Sequence, residues 1–296
     1  MRTRILIIVT IIFALASCNQ GGERRRNQQQ EYKEVDLSKQ GDASKIFYRF
    51  PAPKDIIDYI KTDQLIYLKD FLNPISNADK YHDSRVQNFN LGVYAADFAY
   101  ITVFKTLSEA SEYFGTIEKL AYHAGLSSIF DEQMRRRVEA NEANIDSLGA
   151  IARNSYNDMV NYLTLTGNER QLAIISAGGY VEVLYLAINQ TDDLEADYSL
   201  LRKIYDQRYG LENLCNFMSD FTDDQWMSNL YHDLQAILDV FNLVDAKIES
   251  ESKATKGKGG ELNFSGGNIQ LSITPENYAK LKRVVVETRG KYTSPS

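Results

Sequence analysis

The segment LGVYAADFAYITVF, Leu91 to Phe104, decides the fold class of this chain. As a helix it would be apolar on every side, apart from Asp97 and Thr102. A helix that is apolar all round lies at the centre of a helical bundle or inside a membrane. The run is too short to span a bilayer and carries a carboxylate, so it predicts a central bundle helix over 84–106.

A second central helix of the same kind is predicted over 170–190. Its core, AIISAGGYVEVLYLAI, is again interrupted by one acid, Glu182. At a spacing of 85 residues, Asp97 falls on Glu182 and Tyr100 falls on Tyr185. Because the apolar runs around both pairs also match, the sequence favours an internal duplication.

Each copy is predicted to hold about four helices, in pseudo-repeats at 88–165 and 173–250. Gly125 and Gly210 match at the same spacing and fit helix C-cap positions, where a left-handed residue ends the helix. The predicted fold class is therefore all-α, a helical bundle of two pseudo-repeats in a domain at 46–250. The expected helices are 84–106, 108–124, 129–139, 141–165, 170–190, 193–209, 211–220 and 223–248.

The C-terminal part is predicted to add a small β-hairpin and a terminal helix. Residues 251–260 are rich in Gly and Lys and indicate a linker. The stretch ELNFSGGNIQLSI then alternates around Ser265-Gly-Gly-Asn268, which predicts a hairpin. Thr274-Pro275 marks the start of the last helix. A two-stranded hairpin is marginal alone, so we expect 261–296 to pack on the helical domain.

The N-terminus has the pattern of a bacterial lipoprotein signal. Arg2 and Arg4 precede an apolar run, Ile5 to Leu15, which leads into LASC. Small residues before a cysteine resemble a lipobox, in which the cysteine is lipidated and becomes the new N-terminus. The sequence therefore predicts a signal peptide at 1–17 and a lipidated Cys18. An ordinary secretory signal with a chance cysteine is the alternative.

The polar residues 18–45 indicate a disordered tether from the membrane. Asn19, rather than an aspartate, follows the cysteine, which by analogy with known lipoproteins favours the outer membrane of a Gram-negative bacterium. The absence of an acidic cluster at 19–30 favours its periplasmic face. The lipid bilayer is thus a predicted partner through Cys18, and Cys215, in an apolar pattern, is expected to be a small buried hydrophobe.

The sequence carries none of the motifs of common catalytic and metal sites. We find no phosphate-binding loop, no nucleophile elbow, no paired histidines and no cysteine pair. We therefore predict no cofactor, no metal site and no catalytic residue, and we lean against an enzyme. The formal charge of −7 becomes −9 without Arg2 and Arg4, which argues against nucleic acid as a partner because phosphate binding needs a basic surface.

The two acid-x-x-Tyr pairs form the candidate site. Residues three apart share a helix face, and a buried carboxylate must find donors or be protonated. Each acid could lock the two copies together by accepting hydrogen bonds from tyrosine hydroxyls or from a helix N-terminus. The pairs could instead line a cleft between the copies that holds a sugar or a cation, or the two acids could serve a hydrolase as acid and base. The ligand-binding candidates are Asp97, Tyr100, Glu182, Tyr185 and Tyr94.

The chain resembles uncharacterised helical lipoproteins of Bacteroidetes-type bacteria in two short segments. These are GVYAAD, which starts at Gly92, with Tyr100, and then Leu120-Ala121 with Gly125-Leu126. The resemblance implies a cell-envelope location and a helical fold, but no reaction. The predicted function is a membrane-anchored, non-catalytic scaffold or binding protein, whose partner is an envelope protein or a small polar ligand.

Overall fold

The computed structural model describes residues 51–61, 66–104, 107–141, 143–191, 197–248, 253–256, 262–265 and 269–294. The predicted signal peptide, the lipidated Cys18 and the tether lie outside these residues.

The described residues form ten α-helices, so the protein is all-helical in character. Their bounds are α1 Pro53–Ile60, α2 Ser84–Phe104, α3 Leu107–His123, α4 Glu132–Ala140, α5 Ile145–Leu165, α6 Glu169–Ile188, α7 Tyr198–Asp206, α8 Arg208–Met218, α9 Gln225–Phe241 and α10 Pro275–Thr293. Short 3₁₀ turns occur at Lys69–Phe71, Ile75–Lys80 and Ser219–Phe221.

The two helices predicted to be central, α2 and α6, lie at the centre and pack on each other. Near their starts Gln171 donates a hydrogen bond to Asn88, at 3.0 Å. Near their ends Gln190, just after α6, donates to the Tyr100 hydroxyl at 2.9 Å. The contacts follow the same order along both helices, so the helices run parallel. By length and composition α6 could cross a membrane, but most of it is buried inside the protein.

Glycines allow the backbones of α2 and α6 to touch. A Cβ atom at Gly92 would overlap the carbonyl oxygen of Ile175, and one at Gly178 would overlap that of Phe89. Because the obstructing atoms are backbone, no side-chain rotation relieves the overlap. Around this crossing, α3 and α5 pack on α2, α1 packs across both central helices, and α10 packs on α6 and α9.

The 85-residue spacing of the predicted duplication holds for the starts of the two central helices, but not for the helix end predicted at Gly210. Helix α2 starts at Ser84 and α6 at Glu169, 85 residues apart. Gly125 has a φ of 74° just after α3, as its C-cap position requires. Gly210 lies inside α8, so the C-cap predicted there is wrong: only Gln207 separates α7 from α8, and it is right-handed. The duplication stays a prediction.

The predicted β-hairpin is not formed, and this part of the fold-class prediction is wrong. The described strands are β1 Asp245–Ile248, β2 Lys253–Lys256, β3 Leu262–Ser265 and β4 Ile269–Ser272. β3 pairs with β2, and β4 pairs with β1, both antiparallel, so the two predicted hairpin arms do not pair with each other. The observed arrangement matches four residue pairs in each of the two ladders.

The strands also change two predicted boundaries. Strand β2 lies within 251–260, the predicted linker. The last helix of the second pseudo-repeat was expected to reach residue 248, but α9 ends at Phe241 and β1 follows. The periodicity of α9 does not extend into Asp245–Ile248, which pairs with β4 instead.

Gly178→Ala should destabilise the protein strongly, because the added methyl group overlaps backbone that cannot move without separating α2 from α6. We expect a loss of about 3 kcal/mol or more in the free energy of unfolding, measured by urea denaturation. Gly115→Ala is the matched control, since a Cβ at this exposed position of α3 meets no atom within 4 Å. It should gain up to about 1 kcal/mol from helix propensity. Equal stability of the two variants would contradict the close backbone packing.

Candidate functional site

Both acids of the candidate site are completely buried between α2 and α6. Asp97 and Glu182 each have an exposed fraction of 0%. The prediction placed them at equivalent positions of two copies, and the parallel packing brings their side chains together. Neither carboxylate lines the apolar cavity beside Phe98 and Tyr156, or the open cleft between α1 and α5.

Glu182 is neutralised by an arginine from the C-terminal helix. Arg289 on α10 donates from Nε and Nη2 to the two oxygens of Glu182, at 2.6 and 2.9 Å. Such a two-point pair matches the planar fork of the guanidinium. Nη2 also donates to the Phe71 carbonyl at 3.1 Å, and the guanidinium carbon lies 4.0 Å from the ring centre of Tyr185. Burial lowers the pKa of Arg289, but the charge and hydrogen bonds of Glu182 outweigh it, so the net shift is upward.

One carboxyl oxygen of Asp97 accepts a hydrogen bond, and the other has no partner among the described residues. Its Oδ2 accepts from the backbone N–H of Asn73 at 3.1 Å, whereas Oδ1 has no hydrogen-bond donor among the described residues. Burial, followed by the adjacent Glu182 charge, raises the pKa of Asp97 well above its usual value, against the opposing effects of Arg289 and the Asn73 N–H. Two ionised carboxylates cannot share a buried site at low cost. A proton on Asp97 removes the repulsion between the two carboxylates.

With a proton on Asp97, the cluster of Asp97, Glu182 and Arg289 is electrically neutral. It comprises one protonated acid, one carboxylate and one guanidinium. Full burial without this balance would cost several kcal/mol per uncompensated ion. The arrangement therefore joins α2, α6 and α10 through a single set of charges.

The candidate tyrosines do not bond to the acids. Tyr100 donates to the carbonyl of Ile66 at 2.9 Å and accepts from the N–H of Leu68 at 3.0 Å. Tyr94 donates to the carbonyl of Pro74 at 2.9 Å. Tyr185 lies under the guanidinium of Arg289. The expected hydrogen bonds from tyrosine hydroxyls to carboxylates are thus replaced by bonds to the irregular segment 66–74.

Asn73 is the central residue of that segment. Its N–H donates to Asp97, its carbonyl accepts from the Tyr113 hydroxyl at 3.1 Å, and its side-chain amide donates to Tyr81 and Asn90. Neither Asn73 nor Arg289 was among the residues predicted for the site. An available signal was the position of Arg289 one turn after Val285, beside the buried face of α10.

No protein-family model, curated protein or solved structure matches this chain. The resemblance to helical lipoproteins therefore stays a prediction. Among the described residues, no group of three or more His, Cys, Asp or Glu side chains could hold a metal ion.

Replacing Asp97 with Asn should change how stability depends on pH. Because the pKa of Asp97 is raised in the folded state, the contribution of Asp97 to stability is greatest below about pH 4 and falls as pH rises toward the folded pKa. The slope should be about 1.4 kcal/mol per pH unit for one proton. Asp97→Asn mimics the protonated acid and should lose this slope in urea unfolding from about pH 4 to 7.

Asp239→Asn is the matched control, since it removes an exposed carboxylate of α9. Its stability curve should run parallel to that of the wild type. Parallel curves for wild type and Asp97→Asn would mean that Asp97 holds no extra proton in the folded state.

Proposed function

We propose that this protein is a lipid-anchored, non-catalytic scaffold or binding protein of the Gram-negative outer membrane, on its periplasmic face. The observation that carries the non-catalytic part is the sealed Asp97–Glu182–Arg289 cluster. The pair of acids was the strongest catalytic candidate in the sequence. Both carboxyl groups are shielded from solvent, and Glu182 is fully engaged by Arg289.

A carboxylate-based hydrolase needs both acids at a cleft that admits the substrate and a water molecule. A ligand site between the two copies needs the same access. In this structure the space beside the acids is filled by Arg289, Tyr185 and the backbone of the segment 66–74. The geometry therefore favours the structural interpretation, in which the acids lock the copies and the C-terminal helix together.

The membrane part of the proposal is supported by the lipobox-like residues before Cys18 and the polar stretch that follows. In Cys18→Ser the acceptor thiol is lost. We expect it to incorporate no radiolabelled fatty acid and to leave the membrane fraction. Cys215→Ser is the matched control, because Cys215 is buried within α8 and should have no part in lipidation. Equal labelling of wild type and Cys18→Ser would contradict a lipid anchor at this cysteine.

Protease treatment of intact cells tests the orientation separately. A periplasm-facing domain should survive until the outer membrane is permeabilised. Digestion without permeabilisation would place the domain on the cell surface and contradict this part of the proposal.

A further inference from the structure

Residues 66–74, here named the strap, lie directly against the buried acids. The N–H of Asn73 donates to Asp97, and the carbonyl of Phe71 accepts from Arg289, which also holds Glu182. With the strap in place both acids are completely buried. A displaced strap would leave Asp97 without this backbone donor and would uncover that side of the cluster.

The strap buries little apolar surface of its own. Of its residues only Leu72 and Asn73 are buried. Ile66 is 60% exposed, and Tyr67 and Phe71 are partly buried. In α6, by contrast, most residues are buried. Segments with few buried apolar contacts open at a lower free energy than core helices do.

Side chains, rather than a backbone ladder, hold the strap to the bundle. The backbone–backbone hydrogen bonds described for the strap stay within it or reach the adjacent Asn77. The hydroxyl of Tyr100 alone bonds two backbone groups of the strap, the Ile66 carbonyl and the Leu68 N–H. Each such bond has a modest net effect on stability, so the strap can be released while the helices keep their own hydrogen bonds.

One ion pair also ties the strap to α3. Lys69 pairs with Glu109, which accepts from the Tyr67 hydroxyl as well. Because the Lys69 side chain is 69% exposed, solvent screens this pair, and it adds little to the closed arrangement.

We propose that the strap is a gate to the buried acids. It opens locally while the helical bundle stays folded, and its opening lets water and small solutes reach Asp97 and Glu182. The closed strap gives the sealed cluster described above. The gate goes beyond the scaffold role of the protein and does not depend on the lipid anchor.

The test follows hydrogen exchange of the full-length protein in detergent, resolved to single residues by mass spectrometry. A strap that opens locally should leave the N–H of Asn73 at least about tenfold less protected than that of Val181, at the centre of α6. Equal protection of Asn73 and Val181 would mean that the strap opens only when the bundle unfolds, and would overturn the proposal.

Two variants separate local opening from unfolding. Ile237→Val removes one methyl group from the buried face of α9 and should speed exchange at Val181 several-fold, while exchange at Asn73 stays unchanged. Tyr100→Phe removes the hydroxyl that bonds the strap and should speed exchange at Asn73 about tenfold. Thermal melting of each variant confirms folding. Exchange at Asn73 that rises in step with Val181 in Ile237→Val contradicts a local gate.

Carbodiimide coupling of glycine ethyl ester to carboxyl groups tests access to the acids directly. Asp97 and Glu182 should react slowly in the wild type, at the same rate in Ile237→Val, and about tenfold faster in Tyr100→Phe. No faster reaction in Tyr100→Phe, or coupling that speeds up in Ile237→Val, would show that the acids are not reached through the strap, and the proposal would be dropped.

Discussion

A neutral group of three buried ionisable side chains holds the centre of this protein together. Asp97 and Glu182 cannot both be charged without a cation, and Arg289 supplies one cation for the two of them. The balance requires a proton on Asp97 and requires α10 to be in place. Helices far apart in the chain therefore depend on one another, because removing any one member leaves a buried charge or a buried polar atom uncompensated.

The irregular segment 66–74 is held by side chains from the central helices and from α10. This segment contains a short 3₁₀ turn but no α-helix or strand, so its buried N–H and C=O groups need side-chain partners. Tyr100, Tyr94 and Arg289 supply partners for its carbonyls, and Asp97 accepts from the N–H of Asn73. The tyrosines and the aspartate that suggested a binding site at the centre thus form hydrogen bonds with the backbone of this segment.

Much of the centre could be predicted from the sequence, because burial leaves a clear pattern. Two helices that are apolar all round, each with one acid, are typical of the core. The 85-residue spacing indicates that Asp97 and Glu182 occupy equivalent positions. The position of Arg289 beside the buried face of α10 was the one local signal, and it does not say that the partner of this arginine is Glu182 on α6. The pairing of the strands was predicted wrongly for a different reason. Alternation marks β3 and β4 as strands, but their partners β2 and β1 lie in stretches that the sequence assigned to a linker and to the end of a helix.

A double-mutant cycle between Glu182 and Arg289 tests the central claim most directly. The free energy of unfolding is measured for wild type, Glu182→Gln, Arg289→Met and the double variant. If one charge set holds α6 and α10 together, the double variant should lose at least about 2 kcal/mol less than the two single variants together. A parallel cycle on the more exposed Lys291–Asp233 pair should give a coupling below about 1 kcal/mol. Losses at Glu182 and Arg289 that add to within about 0.5 kcal/mol would contradict the account.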